Sequence, residues 1–276
     1  MKPKVKKIHS ENSDFQLIET LRRNREKRSK QGLFFVEGVR PINQAIEHNW
    51  DIHAFVYNPE SLSGWAQGIL DKSKAETHYE LPAALLQKLS LKEEPSELLA
   101  LLTIPKDNLD KIPLSKNLLV IVFDRPVSPG NLGSLIRSSD ALKVNGLIVT
   151  GHAADLYDPE VISASRGSCF TVPTVRLPSH KELLPWIDKL KKKLPELQIV
   201  ATDEKGSATI DGHDFTKPTI LLVGNETKGL SEAYRELADI IVKIPMYGSA
   251  SSLNVAAASS IVLYEIDRQR RSIEET

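Results

Sequence analysis

A single cysteine, Cys169, occurs among 276 residues, so the chain can form no internal disulfide and no cysteine-based zinc site. No stretch approaches the roughly 20 consecutive apolar residues that a membrane-spanning helix needs. The opening, MKPKVKKIHSENSDF, is basic but leads into no apolar run, so a signal peptide is not expected and a cytoplasmic location is. No G-x-G-x-x-G follows the first strand of either half, which argues against a Rossmann dinucleotide site. Walker A and G-x-S-x-G signatures are also missing. The histidines lack metal-ligand spacing, and neither internal repeats nor low-complexity tracts occur.

The charges that are present balance, with 36 Lys/Arg against 36 Asp/Glu, but they are unevenly placed. Residues 1–40 hold eleven Lys/Arg and five acids, leaving the remainder acidic by six. Such a stripe is either a solvated helix face or a phosphate-contacting surface. The length suits two domains. Residues 14–31 read as a helix with Leu17, Ile18 and Leu21 on one face and basic residues on the other. Strands follow at 33–37, 51–57, 77–80 and 98–104, with helices at 39–49, 59–70 and 82–89 between them. The polar, two-proline segment 105–117 reads as a linker. LLVIVF then opens a second α/β unit. Its strands lie at 118–123, 146–150, 171–175, 197–202, 219–224 and 239–245, and its helices at 131–142, 159–164, 180–193, from Ser231, and 253–270. Strand–helix alternation with continuous apolar runs predicts a mostly parallel sheet covered on both faces.

Three stretches lie just beyond strand ends, where open α/β sheets bind ligands. In DRPVSPGNLGSLIRSSDAL, Asn131 or Ser128 would start a helix, and Arg137 projects from it two turns in. A turn with an N-cap accounts for Asn131 and accounts less well for Arg137. In LLVGNETKGLSE, two glycines bracket a polar turn; Glu226, if buried there, needs a partner. In IPMYGSASSLNVAAASS, Ser252 as N-cap and Asn254 in the first turn set polar groups beside free backbone N–H groups. The helix beyond them is built from small residues, which suggests that something approaches its backbone closely.

In order and spacing these stretches resemble the three signature motifs of the SpoU/TrmH-type RNA 2′-O-ribose methyltransferases of the SPOUT superfamily: N-x-G-x-x-x-R, V-G-N-E-x-K-G-L-S and I-P-M-x-G-x-x-x-S-L-N-V. Arg25 to Gly38, R-x-K-R-S-K-Q-G-L-F-F-V-E-G, is similar to the family's N-terminal substrate-binding domain. The resemblance implies a small ribosomal-protein-like α/β domain for RNA over 1–104, a linker over 105–117, and a parallel-sheet methyltransferase domain with a deep trefoil knot over 118–276. It implies S-adenosylmethionine (AdoMet) as cofactor, RNA as partner, a homodimer with the active site near the subunit interface, and no metal. Carried over position by position, Thr202, Gly224, Asn225, Ile244, Met246 and Leu253 would hold the cofactor. Asn131, Arg137, Glu226, Ser252 and Asn254 would form the catalytic group. Arg22, Arg23, Arg25, Lys27, Arg28 and Lys30 would contact RNA. Two positions depart from the family pattern: Ser128 stands where Asp is common, and Ala256 where Ser is common.

The reaction implied is methyl transfer to a ribose 2′-hydroxyl, with large-subunit (23S) ribosomal RNA expected as substrate. A guanidinium stays protonated at neutral pH. Arg137 is therefore expected to grip a phosphate and lower the hydroxyl's pKa electrostatically, with Glu226 orienting Arg137 or taking the proton. The alternatives are a transfer RNA 2′-O-methyltransferase, a base-directed enzyme of the same superfamily, and a non-catalytic RNA-binding or ribosome-assembly factor.

Overall fold

The computed structural model describes residues 3–274; Lys2 of the basic opening and the outermost ends of the two expected domains lie outside them. The chain forms two compact units. One comprises the chain up to Lys106 together with Asp155–Thr171, and the other comprises Asp107–Ala154 and the chain from Val172 onward. Segment 155–171, which the sequence assigns to the second domain, therefore packs within the first unit.

In the first unit the elements run β1 (Lys4–Lys7), α1 (Ser13–Arg23), α2 (Arg25–Gln31), β2 (Leu33–Glu37), α3 (Val39–Glu47), β3 (Ile52–Tyr57), α4 (Gly64–Lys72), β4 (Thr77–Glu80), α5 (Ala83–Leu89) and β5 (Leu98–Thr103). Their strands form a mixed sheet in the order β1-β4-β3-β5-β2, parallel at the β1 side and antiparallel through β5. The expected 14–31 helix is broken at Asn24. That residue is extended, its N–H bonds Thr20 O, and its side chain accepts from Lys27 N, so it ends one helix and caps the next. The basic opening includes a strand that the sequence did not disclose, because Lys4–Lys7 is an edge strand with little apolar content. The helix expected from Pro59 begins only at Gly64, where the Ser63 side chain accepts from Ala66 N. Phe15, Ile18 and Leu21 of α1 pack with Phe35, Val56, Leu99 and Leu101 of the sheet.

The second-domain segment continues as β6 (Leu119–Asp124), α6 (Pro129–Ala141), β7 (Gly146–Thr150), α7 (Pro159–Ser165), β8 (Thr174–Leu177), α8 (Leu184–Lys193), β9 (Gln198–Thr202), β10 (Ala208–Thr209), β11 (Thr219–Val223), α9 (Glu232–Leu237), β12 (Ile240–Lys243) and α10 (Val255–Glu274). Seven strands, all parallel, are ordered β10-β12-β9-β11-β6-β7-β8. Every residue of β6, β7 and β11 is buried, as expected of parallel strands covered on both faces. The TVPTV strand starts at Thr174, since Pro173 cannot donate to a ladder. Successive strands run outward from β6 to β8, and the chain then returns to the other side of β6. A topological switch point results, and ligand crevices form beyond the carboxyl ends of strands there. The last helix is latched by Arg270, whose guanidinium donates to the carbonyls of Phe215, Asn117, Leu118 and Lys217. No helix among the described residues is long and apolar enough to cross a membrane.

Candidate active site

A cavity of about 560 Å³ opens beyond the carboxyl ends of β9, β11 and β12. Its lining brings together Thr202, Gly224, Asn225, Ile244, Met246 and Leu253 of the expected cofactor set with Asn131, Glu226, Ser252 and Asn254 of the expected catalytic set. Those residues come from four separated segments, so the cavity is a property of the tertiary fold. Arg137 is not in the lining. It is exposed on α6 and forms no ion pair with Glu226.

The turn between β11 and α9 owes its shape to local chemistry. Asn225 and Gly229 exchange backbone hydrogen bonds of 3.0 and 2.9 Å. The Asn225 Oδ1 accepts from Thr227 N and Lys228 N, and its Nδ2 donates to Arg125 O at 2.6 Å. Gly229 sits at φ +64°, a conformation that favours glycine. A Cβ on Gly224 would lie 2.5 Å from Leu230 N and 2.6 Å from Gly229 C, so only glycine lets the loop fold back on itself.

Glu226 points at the turn before α6. Its carboxylate accepts from Val127 N at 2.9 Å, Ser128 N at 3.0 Å and Asn131 Nδ2 at 3.2 Å. Desolvation pushes its pKa up, yet these donors outweigh it and hold the carboxyl below its ordinary value. A carboxylate held this way is a weaker proton acceptor than a free one, and it is well placed to orient the turn before α6. Asn131 Oδ1 in turn accepts from Asn254 Nδ2 at 2.9 Å, and Asn254 Oδ1 accepts from Ala256 N and Ala257 N. Asn254, rather than Ser252, is thus the cap of α10. Ser128 caps α6 by accepting from Asn131 N at 3.2 Å, so the departure from Asp at that position keeps a capping oxygen. One network, Glu226–Asn131–Asn254, ties together the ends of β6 and β11 and the start of α10.

The lining carries both signs of charge, Asp203 and Glu204 against Lys205, Lys228 and Arg235, with apolar Ile210, Val242 and Val262. Arg235 pairs with Asp203. Missed by sequence reasoning, this pair is signalled only by charged residues placed just after β9 and within α9. A pocket of this size with apolar walls and a few placed polar groups suits a cofactor-sized ligand. The paired charges suit a zwitterionic amino-acid end, and the apolar side suits a purine, so the residues present fit AdoMet.

The basic stretch fares differently. Arg28 is only 2% exposed. Its Nε donates to Asp155 Oδ2 at 2.7 Å, its Nη2 to Asp158 Oδ2 at 3.1 Å, and its Nη1 to Leu21 O and Arg22 O. It is an interior tether and cannot contact RNA, which corrects the expectation. Arg22 is half-buried, its Nη1 donating to the carbonyls of Lys88, Leu89 and Ser90. Arg23, Arg25, Lys27 and Lys30 are exposed.

A parallel α/β domain with a composite cavity at its switch point, built on the N-x-G, V-G-N-E and S-L-N segments, defines the class. The SpoU rRNA Methylase family model matches residues 118–264, and the SpoU L30e-like domain model matches residues 12–100. The chain belongs to the SpoU methylase family. It is 46% identical over 98% of its length, and 94% of the relative's, to a 23S rRNA (uridine(2479)-2′-O)-methyltransferase of Streptomyces viridochromogenes. The crystal structure of the SpoU methyltransferase AviRb from Streptomyces viridochromogenes in complex with AdoMet superposes with a TM-score of 0.90. It covers 95% of this chain and 99% of that one at 48% identity. An AdoMet-bound rRNA methyltransferase from Sinorhizobium meliloti has a TM-score of 0.83 at 27% identity, covering 96% and 98%.

Proposed function

We propose that this protein is an AdoMet-dependent methyltransferase that modifies a ribose 2′-hydroxyl of 23S ribosomal RNA. The observation that carries it is the convergence of nine motif residues and Thr202 on one cavity, in a chain 46% identical over 98% of its length to a 23S rRNA 2′-O-methyltransferase. When bound, AdoMet supplies an electrophilic methyl group on a sulfonium. The chain's own part is positioning, which can supply roughly 7–11 kcal/mol of barrier reduction. The Glu226–Asn131–Asn254 network fixes the cavity mouth, and Asn254 and Ser252 align substrate there. Arg137 holds the phosphate beside the target ribose and favours its alkoxide.

Exposed Ile261 and Tyr264 on α10, 41% and 56% accessible, share a helix face with Ala257. The α6 helix that carries Arg137 joins α10 through Ser138 Oγ and Ser260 Oγ, 2.7 Å apart. This apolar stripe supports a homodimer whose two-fold contact carries Arg137 to the partner's cavity. Membership of the SpoU family over residues 118–264 supports the trefoil knot expected in the second domain. The matched spans 12–100 and 118–264 support boundaries of 1–104, 105–117 and 118–276, apart from segment 155–171, which packs with the first unit, and a ribosomal RNA substrate is consistent with a cytoplasmic enzyme.

Labelled AdoMet, incubated with unmodified 23S rRNA and transfer RNA transcripts, tests the reading. Label in 23S rRNA within an alkali-resistant dinucleotide is expected. Label on a base, or in transfer RNA alone, overturns it. Arg137→Ala should lose nearly all turnover while cofactor affinity stays within a few-fold. Mixing it with Asn254→Ala should restore part of the activity if Arg137 acts across a dimer.

A further inference from the structure

We propose that the first unit holds a second ligand cavity, lined by Arg22, Arg23 and Lys92, which seats the phosphate and sugar of one RNA nucleotide other than the one methylated. This rests on RNA being the substrate. The cavity measures about 530 Å³ and lies between the end of α1, the end of β2, residues 91–92 and the start of α7.

Arg22 is the centre of the case. The side of its guanidinium that carries Nη1 is spent on the three carbonyls at the end of α5. Its Nε is the one buried side-chain nitrogen or oxygen without a hydrogen-bond partner among the described residues, and Nη2 also donates to none of them. Nε and Nη2 form the edge that grips a phosphate with two parallel hydrogen bonds. A buried donor left unmade costs about 1–3 kcal/mol, so its persistence calls for an acceptor. Burial and, next, the charge of Arg23 push Arg22's pKa down, while the charges of Glu19 and Glu37 push it up less strongly.

The carboxylates that line the cavity are bonded elsewhere and give Arg22 Nε no acceptor. Both oxygens of Glu37 are taken by Ser90 Oγ, Leu91 N and Ser96 N. Asp158 is bound to Arg28 and to Glu160 N. Glu160 is exposed at the rim. Arg23 faces only Glu19, 3.2 Å away in a surface pair, and such pairs are weak. Lys92 Nζ donates to Ser96 Oγ at 2.9 Å and, among the described residues, faces no carboxylate within ion-pair distance. Beside it Leu91, 52% exposed, offers an apolar surface. Cations around a guanidinium edge whose buried Nε has no partner, next to an apolar patch, match a phosphate joined to a sugar or base. Exposed Arg25, Lys27 and Lys30 on α2 continue the positive charge beyond Arg22 and Arg23, which favours a polymer over a free nucleotide.

The test measures binding of 23S rRNA transcripts across a salt series for the full-length protein and three variants: Lys92→Gln, Ser163→Trp, which fills the cavity without changing charge, and Lys30→Gln outside it. Melting temperature and AdoMet affinity serve as controls for folding. Lys92→Gln and Ser163→Trp should each weaken binding several-fold and raise KM for RNA more than they lower kcat. Loss of one phosphate contact should also reduce the slope of log affinity against log salt by roughly 0.7–0.9. If Ser163→Trp binds like the parent while Lys92→Gln does not, RNA crosses the surface and the cavity is not its seat. Displacement of RNA by uridine 5′-monophosphate or inorganic phosphate at micromolar levels would assign the cavity to a free anion and overturn the proposal. An unaltered protein that binds no RNA would sink the functional reading itself, a result distinct from insensitivity of the variants.

Discussion

Replacing Arg28 by Met or Gln separates an RNA contact from an interior tether. The side chain is 2% exposed, and its partner Asp155 is buried as well. Removing the guanidinium strands the Asp155 carboxylate, which keeps the Tyr157 N–H as a donor, and removes donors from Leu21 O and Arg22 O. Breaking a buried ion pair from one side costs about 3–5 kcal/mol, because the remaining charge stays desolvated. A loss of that size corresponds to roughly 10 °C or more in the melting temperature of a unit this large. Replacing Asp155 by Asn at the same time should recover part of the loss, since no stranded charge remains, so the double mutant should be more stable than the two single losses added. Urea and thermal denaturation followed by circular dichroism measure this. The reasoning is refuted if Arg28→Gln loses less than about 1 kcal/mol yet weakens RNA binding, because that is the behaviour of a surface phosphate contact.

Glu226→Gln should flatten the acid limb of stability. Its folded pKa lies below the ordinary 4.5, so the carboxylate stabilises the fold above that value, and the contribution disappears as pH falls through the lower folded pKa. Denaturation midpoints between pH 6 and pH 3, about the carboxylate range, should converge for the two proteins at the acid end, and parallel curves would contradict the network. Gly224→Ala should lower AdoMet affinity by about five- to 150-fold while the first unit stays folded, because a 2.5 Å approach to Leu230 N must be relieved by moving the loop, at about 1–3 kcal/mol; titration calorimetry decides it. Burial pushes the Cys169 thiol up to about 12, so it should resist a thiol-specific chromogenic reagent at pH 8 in the native protein and react once denaturant is added. Rapid labelling of the native protein would show that the interior around it opens.

The chain alone determined a good deal. Continuous apolar runs such as LVIVF and TILLV specify buried parallel strands, because only a strand covered on both faces tolerates them. The glycines and asparagines of the three motifs specify tight turns and a capped helix through interactions only a few residues apart, which sequence spacing reports directly. Three such motifs in order were enough to name nine residues of the cavity before its position was known, though not Asp203 or Arg235. Long-range pairing was beyond reach. The basic pattern of residues 22–30 describes a helix surface but cannot say which cations meet partners 127 and 130 residues away; Arg28 alone is enclosed by Asp155 and Asp158. That Glu226 faces the turn before α6 instead of Arg137 was also a tertiary matter. So was the packing of segment 155–171 with the first unit, and so was the unmatched edge of Arg22 that opens a second cavity. Local hydrogen bonds follow from neighbours in the chain, whereas the burial of a charge depends on which distant acceptors the fold brings around it.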